Sequence, residues 1–189
     1  MIGVLALLAG GCGGDDESDS GSGGETVELQ AVDGAAAGTV TLSEVDGAVE
    51  VEAEVTGLSP GFHGFHVHET ATCDPDAPEA PFDTAGGHHA TAGQTHGDHA
   101  GDLPTLLADP QGNATATVRT TEFTLDELAD SDGSAVMVHA MRDNQANVPG
   151  RYMAAGKPGP DADTLDTGDS GDRIACACSA PERRFSRSG

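Results

Sequence analysis

Apolar and polar residues alternate along the first third of the chain, with the period of two that is typical of β-strands with one buried face. In the clearest run, Val49, Val51, Ala53 and Val55 alternate with acidic residues. The dipeptide Asp46-Gly47 precedes this run, and such dipeptides favour the tight turns that join antiparallel strands. The pattern therefore predicts a hairpin here. Further strands are predicted at 27–31, 40–42, 61–69, 114–119, 135–140 and 173–178.

Two stretches, 69–107 and 144–172, show no such period and are rich in Gly, Pro and Asp. Loops of this length are uncommon within a compact domain and are usually functional or disordered. Between them, residues 125–128 are expected to form a short helical turn. Many short strands with two long loops predict an all-β fold, either a Greek-key β-sandwich or a flattened barrel.

The two ends of the chain differ from this middle part. Residues 2–9 form an apolar run that is too short to span a membrane, and it is followed by Gly10-Gly11-Cys12. This start resembles a bacterial lipoprotein signal, in which the cysteine is lipidated; the alternative is a chance apolar leader with an unmodified Cys12. We therefore predict a signal and lipidation segment at 1–12, a flexible acidic Gly/Ser tether at 13–25, a folded domain at 26–179 and a disordered tail at 180–189.

The charge of the chain limits its partners. The sequence carries 8 basic and 32 acidic residues, a net charge of −24, and residues 26–179 alone carry −21. Nucleic acids and anionic membrane surfaces need a basic footprint, so both are excluded as direct partners. Membrane contact is expected only through the lipid at Cys12, on an exported protein that is anchored to the outer face of a bacterial cell membrane or is periplasmic.

Histidines are concentrated in the predicted strand 61–69, which holds three of the eight. His66 and His68 alternate across Val67, so an extended strand points both imidazoles to one face, whereas His63 points to the other. Imidazole is a common ligand of copper and zinc. Two ligands on one strand face would form half of a metal site; the alternative is a surface strand that happens to be rich in histidine.

A second group lies in the first long loop. His96, His99 and Asp102 follow one another at intervals of three residues, and His88 lies between the two groups. Three nitrogen or oxygen ligands closed by a fourth are typical of zinc. The alternative is a solvated, histidine-rich loop, and His139, alone at a strand end, is by itself an ordinary histidine.

Taken together, these motifs resemble the copper–zinc superoxide dismutase family. The resemblance extends over 26–178 and accounts for every histidine except His89. The matching motifs are His63-x-x-His66-x-His68, Gly86-Gly87-His88, His96-Gly97, His99-Ala100-Gly101-Asp102, Val138-His139 and Gly171-Asp172-Arg173-Ile174-Ala175-Cys176.

The resemblance implies a role for each of these residues, with the two long loops forming the metal site. His88 would bridge copper and zinc as an imidazolate. Asp143 falls where the family has a carboxylate that joins the two metal sites through hydrogen bonds, and His63 would support the copper strand without binding metal. The implied copper ligands are His66, His68, His88 and His139, and the implied zinc ligands are His88, His96, His99 and Asp102.

The resemblance also implies the reaction. The family disproportionates superoxide to oxygen and hydrogen peroxide through a Cu(II)/Cu(I) cycle, so superoxide is the implied substrate, and copper and zinc are the implied cofactors. Arg173 would guide the anion, Thr167-Gly168 would form the rim of the substrate channel, and His88 would deliver a proton as peroxide forms.

A disulfide between Cys73 and Cys176 is implied as well, tying the first long loop to the last strand. Cys178 would lie on the same strand face as Cys176 and is the alternative partner of Cys73. The chain departs from the family at the zinc group, where only two residues separate His96 from His99. This link is shorter than is common in the family, which makes a strained or weakly occupied zinc site the alternative to a complete one.

Two other functions share much of this pattern. A non-catalytic extracytoplasmic module could bind copper and zinc on the same fold, and a structural sandwich could have lost the chemistry altogether. The presence of both His88 and Arg173 favours the enzyme, because a copper buffer needs neither a bridging ligand nor a guiding cation.

Overall fold

The computed structural model describes residues 24–179. Cys12, the predicted tether as far as residue 23, and the predicted tail at 180–189 lie outside this range. The first strand already begins at Glu25, so the predicted tether extends one residue too far. Within the described range no helix combines the length and apolar character that a membrane crossing requires.

The described residues form eleven strands and two short α-helices, and the predicted strands are found within a few residues of their expected positions. One 3-10 turn, Asp83–Ala85, lies in the first long loop. The strands are β1 Glu25–Ala31, β2 Ala36–Val45, β3 Ala48–Val55, β4 Gly61–His63, β5 Phe65–His68, β6 Leu106–Ala108, β7 Ala114–Thr120, β8 Ser134–His139, β9 Met153–Ala154, β10 Lys157–Pro158 and β11 Arg173–Ser179; the helices are α1 Leu125–Leu128 and α2 Ala162–Asp166.

Seven strands form one antiparallel sheet in the order β5-β8-β11-β1-β2-β3-β7. The predicted histidine strand is present as two halves, β4 and β5, separated by Gly64. β5 pairs with β8 at one edge of the sheet, whereas β4 pairs with β6, which leads through a short turn into β7 at the other edge. The sheet therefore curls back towards its own start. The predicted all-β fold is confirmed, in the form of a curled half-barrel.

The β2–β3 hairpin shows how the local sequence determines the pairing and the buried face of neighbouring strands. Asp46 and Gly47 both have positive φ, 53° and 77°, as a two-residue turn matching the strand twist requires. The turn places Val45 opposite Ala48, and the alternation of the two strands then buries one face. Apolar side chains from this face and from other strands fill the main core, among them Leu29, Val40, Leu42, Val51, Phe65 and Val138.

The two long loops contain more structure than the sequence predicts. The first loop includes the 3-10 turn and ends in β6, where Leu106 and Ala108 are buried while Leu107 is 58% exposed. The second loop contains the β9–β10 pair and α2. These short elements within the two loops have two to five residues, too few to show a period, so the alternation of apolar and polar residues does not predict them. The helical turn predicted at 125–128 is confirmed as α1, and a capping box between Thr124 and Glu127 stabilises it.

Gly64, between β4 and β5, lies against the second long loop. A Cβ atom at this position would lie 2.6 Å from the Cβ of Ser170 and 3.1 Å from the His66 ring. Only glycine lets the strand and the loop approach this closely. The loop is thereby held directly over the histidines of β5.

Candidate metal centre

Four histidines from three parts of the chain converge at the sheet edge formed by β5 and β8. His66 and His68 come from β5, His139 ends β8, and His88 comes from the first long loop, which runs beside β5. All four are buried, and their candidate ligand atoms lie within 4.8 Å of one another. The structure thus brings together the four residues predicted to bind copper.

The hydrogen bonds of these histidines leave one nitrogen on each ring facing the group. His68 Nδ1 lies 3.0 Å from the carbonyl of Gly86, and His139 Nδ1 lies 3.1 Å from that of Gly171. Carbonyls only accept, so both Nδ1 atoms donate, and the two Nε2 lone pairs face each other at 3.4 Å. His66 Nδ1 and His88 Nε2 are buried without a hydrogen-bond partner. Four lone pairs directed at one point suit a metal cation.

Burial keeps three of these imidazoles, those of His68, His88 and His139, neutral. Desolvation lowers the pKa of His139 to about 3 and that of His88 to about 4, and it holds the pKa of His68 well below its ordinary value. Because histidine must be unprotonated at the ligating nitrogen to bind a metal, the group is ready to coordinate at neutral pH.

Asp102 organises the second group through its two oxygens. Its Oδ2 accepts hydrogen bonds from the backbone amides of Gly97 at 2.6 Å and His99 at 3.3 Å. Its Oδ1 faces three imidazoles, at 2.7 Å from His88 Nδ1, 3.2 Å from His96 Nδ1 and 3.3 Å from His99 Nδ1. Burial raises the pKa of Asp102, but the hydrogen bonds from His88 and His96 outweigh this and hold it well below the usual range. A carboxylate among three imidazole nitrogens is a suitable donor set for zinc.

The position of His99 differs somewhat from that of the other predicted zinc ligands. A group of candidate ligand atoms within 4.8 Å of one another contains His66, His88, His96 and Asp102, but not His99. His99 Nδ1 nevertheless lies 3.4 Å from His88 Nδ1. We assign His66 to the first group, because its Nε2 is already hydrogen-bonded and its Nδ1 faces the other histidines of that group. The looser placement of His99 agrees with the short link that joins it to His96.

Asp143 connects the two groups. Its Oδ2 accepts from His66 Nε2 at 2.5 Å and its Oδ1 from His96 Nε2 at 2.7 Å, and the side chain is buried. Burial acts to lower the pKa of His96, but the contact with the Asp102 carboxylate and the hydrogen bond to Asp143 outweigh it and raise that pKa to about 9. Gly168 lies against this pair, since a Cβ there would be 2.3 Å from His96 Nε2. Asp143 therefore fixes the orientation of one histidine from each group.

His63 lies beneath the first group and does not point into it. Its Nδ1 is 2.7 Å from the carbonyl of His139, and its Nε2 is 2.8 Å from the carbonyl of Ser59. Both nitrogens face backbone oxygens, so the ring ties β4 to the end of β8. This geometry agrees with the supporting role predicted for His63.

Arg173 lies beside the first group, where it is paired with His139 across β11 and β8. Its Nη1 donates to the carbonyl of Phe82 and its Nη2 to that of Gly86, each at 2.7 Å. Burial lowers the pKa of Arg173, and the nearby Asp83 opposes this effect; a guanidinium remains charged in either case. Among residues 24–179 it forms no salt bridge. Its charge is therefore held in place without being neutralised.

Cys73 and Cys176 form the predicted disulfide, with Cα atoms 5.6 Å apart and a sequence separation of 103. The bond attaches the first long loop to β11, three residues from Arg173. Within the described range no cysteine is a free thiol, Cys178 included. At the predicted channel rim, Thr167 is half-buried and its hydroxyl donates to the carbonyl of Asp163.

Several contributors to the site were not predicted. The carbonyls of Phe82 and Gly86 hold Arg173, and a backbone carbonyl leaves no mark in a sequence; an aromatic residue within a polar loop was the one available signal. In the second loop, Tyr152 donates a short hydrogen bond to Asp169, which also accepts from Thr164 at 3.1 Å. This network braces the loop that carries Gly168, and nothing in the spacing of these residues predicts it.

Comparison with known proteins gives a consistent result. A family model described as copper/zinc superoxide dismutase (SODC) matches residues 36–179. The chain is 40% identical over 177 residues to Superoxide dismutase [Cu-Zn] of Mycobacterium tuberculosis, with 88% of this chain and 74% of that protein covered. The same-named protein of Caulobacter vibrioides is 34% identical over 138 residues, covering 66% of this chain and 76% of the relative.

Solved structures agree with the sequence relatives. Cu/Zn superoxide dismutase from Brucella abortus superposes with a TM-score of 0.62 at 31% identity, covering 82% of this chain and 98% of the other. A SOD-like protein from Bacillus subtilis gives a TM-score of 0.62 at 27% identity, with 81% and 96% covered.

Proposed function

The chain belongs to the copper/zinc superoxide dismutase family, and we propose that it disproportionates superoxide to oxygen and hydrogen peroxide. The observation that carries this proposal is the convergence of four imidazole lone pairs beside an arginine whose charge is not neutralised. The two neighbouring groups suit copper at His66, His68, His88 and His139, and zinc at His88, His96, His99 and Asp102.

When bound, copper supplies the reversible Cu(II)/Cu(I) electron transfer, and zinc, which has no redox role, supplies a fixed charge. In the balanced reaction, two superoxide anions and two protons give one molecule of oxygen and one of hydrogen peroxide. The protein must therefore attract a small anion to a buried site and provide protons there. Its own residues account for both requirements.

Arg173 meets the first requirement. Its guanidinium is half-buried, fixed by two neutral carbonyls, and adjacent to His139 and His68. An anion that enters the site meets a positive charge in a fixed position, where it acts more strongly than a mobile surface charge. In a domain with a net charge of −21, this local charge opposes the repulsion that an anion meets.

His88 meets the second requirement. Its Nε2 is buried and unpartnered, while its Nδ1 faces Asp102, so the ring can hold or release a proton at Nε2 without moving out of place. Asp143 keeps the neighbouring His66 oriented from the other side. His88 is thus the residue best placed to deliver a proton as peroxide forms.

A non-catalytic copper- and zinc-binding module would share the ligands but not need Arg173. One sample loaded with both metals tests the two functions, through its metal content and its rate of superoxide disproportionation. We expect stoichiometric copper together with turnover. Full copper without turnover would favour the binding module, and a failure to bind copper would favour a purely structural domain.

We further propose that the protein is exported and anchored to the outer face of a bacterial membrane by a lipid on Cys12. The apolar run before Cys12 supports this location, and so does the disulfide of the folded domain, since such bonds persist in oxidising compartments. In bacteria grown with a labelled fatty acid, the wild-type chain should take up label and sediment with membranes. Cys12→Ser should abolish both; a wild-type chain without label would exclude the anchor.

A further inference from the structure

We propose that Phe82 is a positioning residue for Arg173: its buried ring and left-handed backbone fix the 3-10 turn 83–85, whose flanking carbonyls hold the guanidinium. The proposal rests on the proposed function, in which Arg173 attracts the substrate anion. Phe82 itself touches neither substrate nor ligand, so its effect must pass through Arg173.

The ring of Phe82 anchors the first long loop. It is 0% exposed although its neighbours Pro81 and Asp83 are exposed. It packs in a small core, separate from the main one, that consists of Phe82, Ala85, Ala135, Met137 and Cys176, with Cys73 against it. This core attaches the loop to β8 and β11, the two strands that carry His139 and Arg173.

The backbone of Phe82 is held in an uncommon conformation. Its φ of 62° and ψ of 14° lie in the left-handed region, which is unfavourable for a bulky residue and persists only where the surroundings enforce it. The amide donates to the carbonyl of Asp74 at 2.8 Å on one side. On the other side, the carbonyl accepts from Arg173 Nη1 at 2.7 Å and from the amide of Ala85 at 3.1 Å.

The 3-10 turn 83–85 that follows provides the second hydrogen-bond acceptor for the guanidinium of Arg173. It ends at Gly86, with φ of 78°, whose carbonyl accepts from Arg173 Nη2 and also lies 3.0 Å from His68 Nδ1. The carbonyls at the two ends of one turn therefore hold the two terminal nitrogens of the arginine. One of these carbonyls also orients a histidine of the metal centre.

The turn must be held in place because Arg173 has another possible partner nearby, the carboxylate of Asp83. This carboxylate acts on the pKa of Arg173, and Asp83 is exposed on the same turn. If the turn loosened, the guanidinium could form an ion pair with Asp83, and its charge would be lost to an incoming anion. The buried ring of Phe82 prevents this by keeping carbonyls, rather than a carboxylate, against the guanidinium.

The first test measures the accessibility of Arg173 in metal-free protein, by its rate of modification with phenylglyoxal followed by peptide mass spectrometry. The exposed Arg119 and Arg151 serve as internal references. We expect Phe82→Ala to raise the rate at Arg173 about fivefold and Phe82→Leu to raise it about twofold. An unchanged rate at Arg173 in either folded variant would overturn the proposal. The leucine variant keeps the test valid if the alanine variant does not fold.

The second test uses the copper- and zinc-loaded protein. Phe82→Ala should keep its copper but lose about tenfold in kcat/KM for superoxide, at the low end of the ~10–10³ that electrostatic steering can supply. Its affinity for azide, a small anion, should fall in parallel. Leu42→Ala is the matched control, because it removes a fully buried side chain from β2, which carries no metal ligand. Equal losses of kcat/KM and of azide affinity in Phe82→Ala and Leu42→Ala would mean that Phe82 contributes only general packing.

The two tests separate this proposal from the proposed function. Phenylglyoxal reports the position of Arg173 whether or not the protein has activity. A wild-type chain without turnover would contradict the dismutase function, yet a faster modification in Phe82→Ala would still support the positioning role.

Discussion

The strands β1–β3 and the loops over β5 and β8 are stabilised by different interactions. Leu29, Val40 and Val51 are fully buried among other apolar side chains, so the strands depend on area removed from water. Asp143 is buried just as deeply, but among imidazoles. A lost apolar contact leaves a cavity, whereas a lost polar partner leaves another polar group unsatisfied. The site should therefore be damaged by substitutions that leave the strands intact.

The largest expected effect comes from His139. His139→Ala removes a proposed copper ligand, so activity should fall by more than the ~100-fold that loss of an outer partner can cause. Asp102→Ala should mainly weaken zinc binding and leave copper in place. Copper and zinc content measured beside the rate would check both variants, and an equal loss of both metals in each would contradict the assignment of two groups.

Asp143 gives the next largest effect. Asp143→Ala leaves His66 Nε2 and His96 Nε2 without their acceptor, so the affinity for both metals should fall by about 10–100-fold. Competition with a chelator would measure the affinity for each metal. If only one metal were affected, Asp143 would not connect the groups. Hydrogen exchange in β1–β3 should stay at the wild-type level. The substitution would then damage the site without loosening these strands.

Acid should weaken the metal-free site before it affects the strands. His68, His88 and His139 stay neutral in the folded protein, the latter two with pKa values of about 4 and 3, but titrate near 6.5 when unfolded. Below ~6.5 the unfolded chain binds protons that the folded chain does not, so each group lowers the unfolding free energy by ~1.4 kcal/mol per pH unit. His96, with its pKa raised to about 9, contributes stability that is fully present below 6.5 and is lost only as pH rises through 9.

Urea unfolding of the metal-free protein at pH 6.5, 5.5 and 5.0 would measure this slope. A free energy of unfolding that stayed constant across these values would show that the histidines of the site are protonated in the folded protein. The zinc- and copper-loaded protein should lose metal over the same range, because protons compete for the ligating nitrogens.

The smallest effect concerns salt. The domain repels an anion through its net charge of −21, while Arg173 attracts it locally. Salt screens charges beyond ~8–10 Å, so it should remove more repulsion than attraction. We expect kcat/KM to rise or barely change between 10 and 200 mM salt. A steep fall would mean that the wider surface around the site is attractive despite the net charge.

Much of this molecule was predictable from its sequence, for reasons that particular residues show. Alternation places Val49 to Val55 on β3 because a long strand repeats its pattern. The histidines were located because their spacing follows a family motif, and the disulfide came with it. The contacts of Phe82 and Gly86 with Arg173 are not predictable, since these residues act through carbonyls that every residue has. Short elements such as β9 and β10 show no repeat, and the contact of Tyr152 with Asp169 joins residues that no spacing relates.

Tyr152 has a practical consequence. It is the one tyrosine of the chain, which has no tryptophan, so tyrosine fluorescence reports on a single side chain. Its hydroxyl donates to Asp169, and this hydrogen bond raises the pKa of the phenol. A rearrangement within the second loop that separates Tyr152 from Asp169 would break that bond and change the tyrosine spectrum. The protein therefore contains its own optical probe of the internal order of this loop, without an added label.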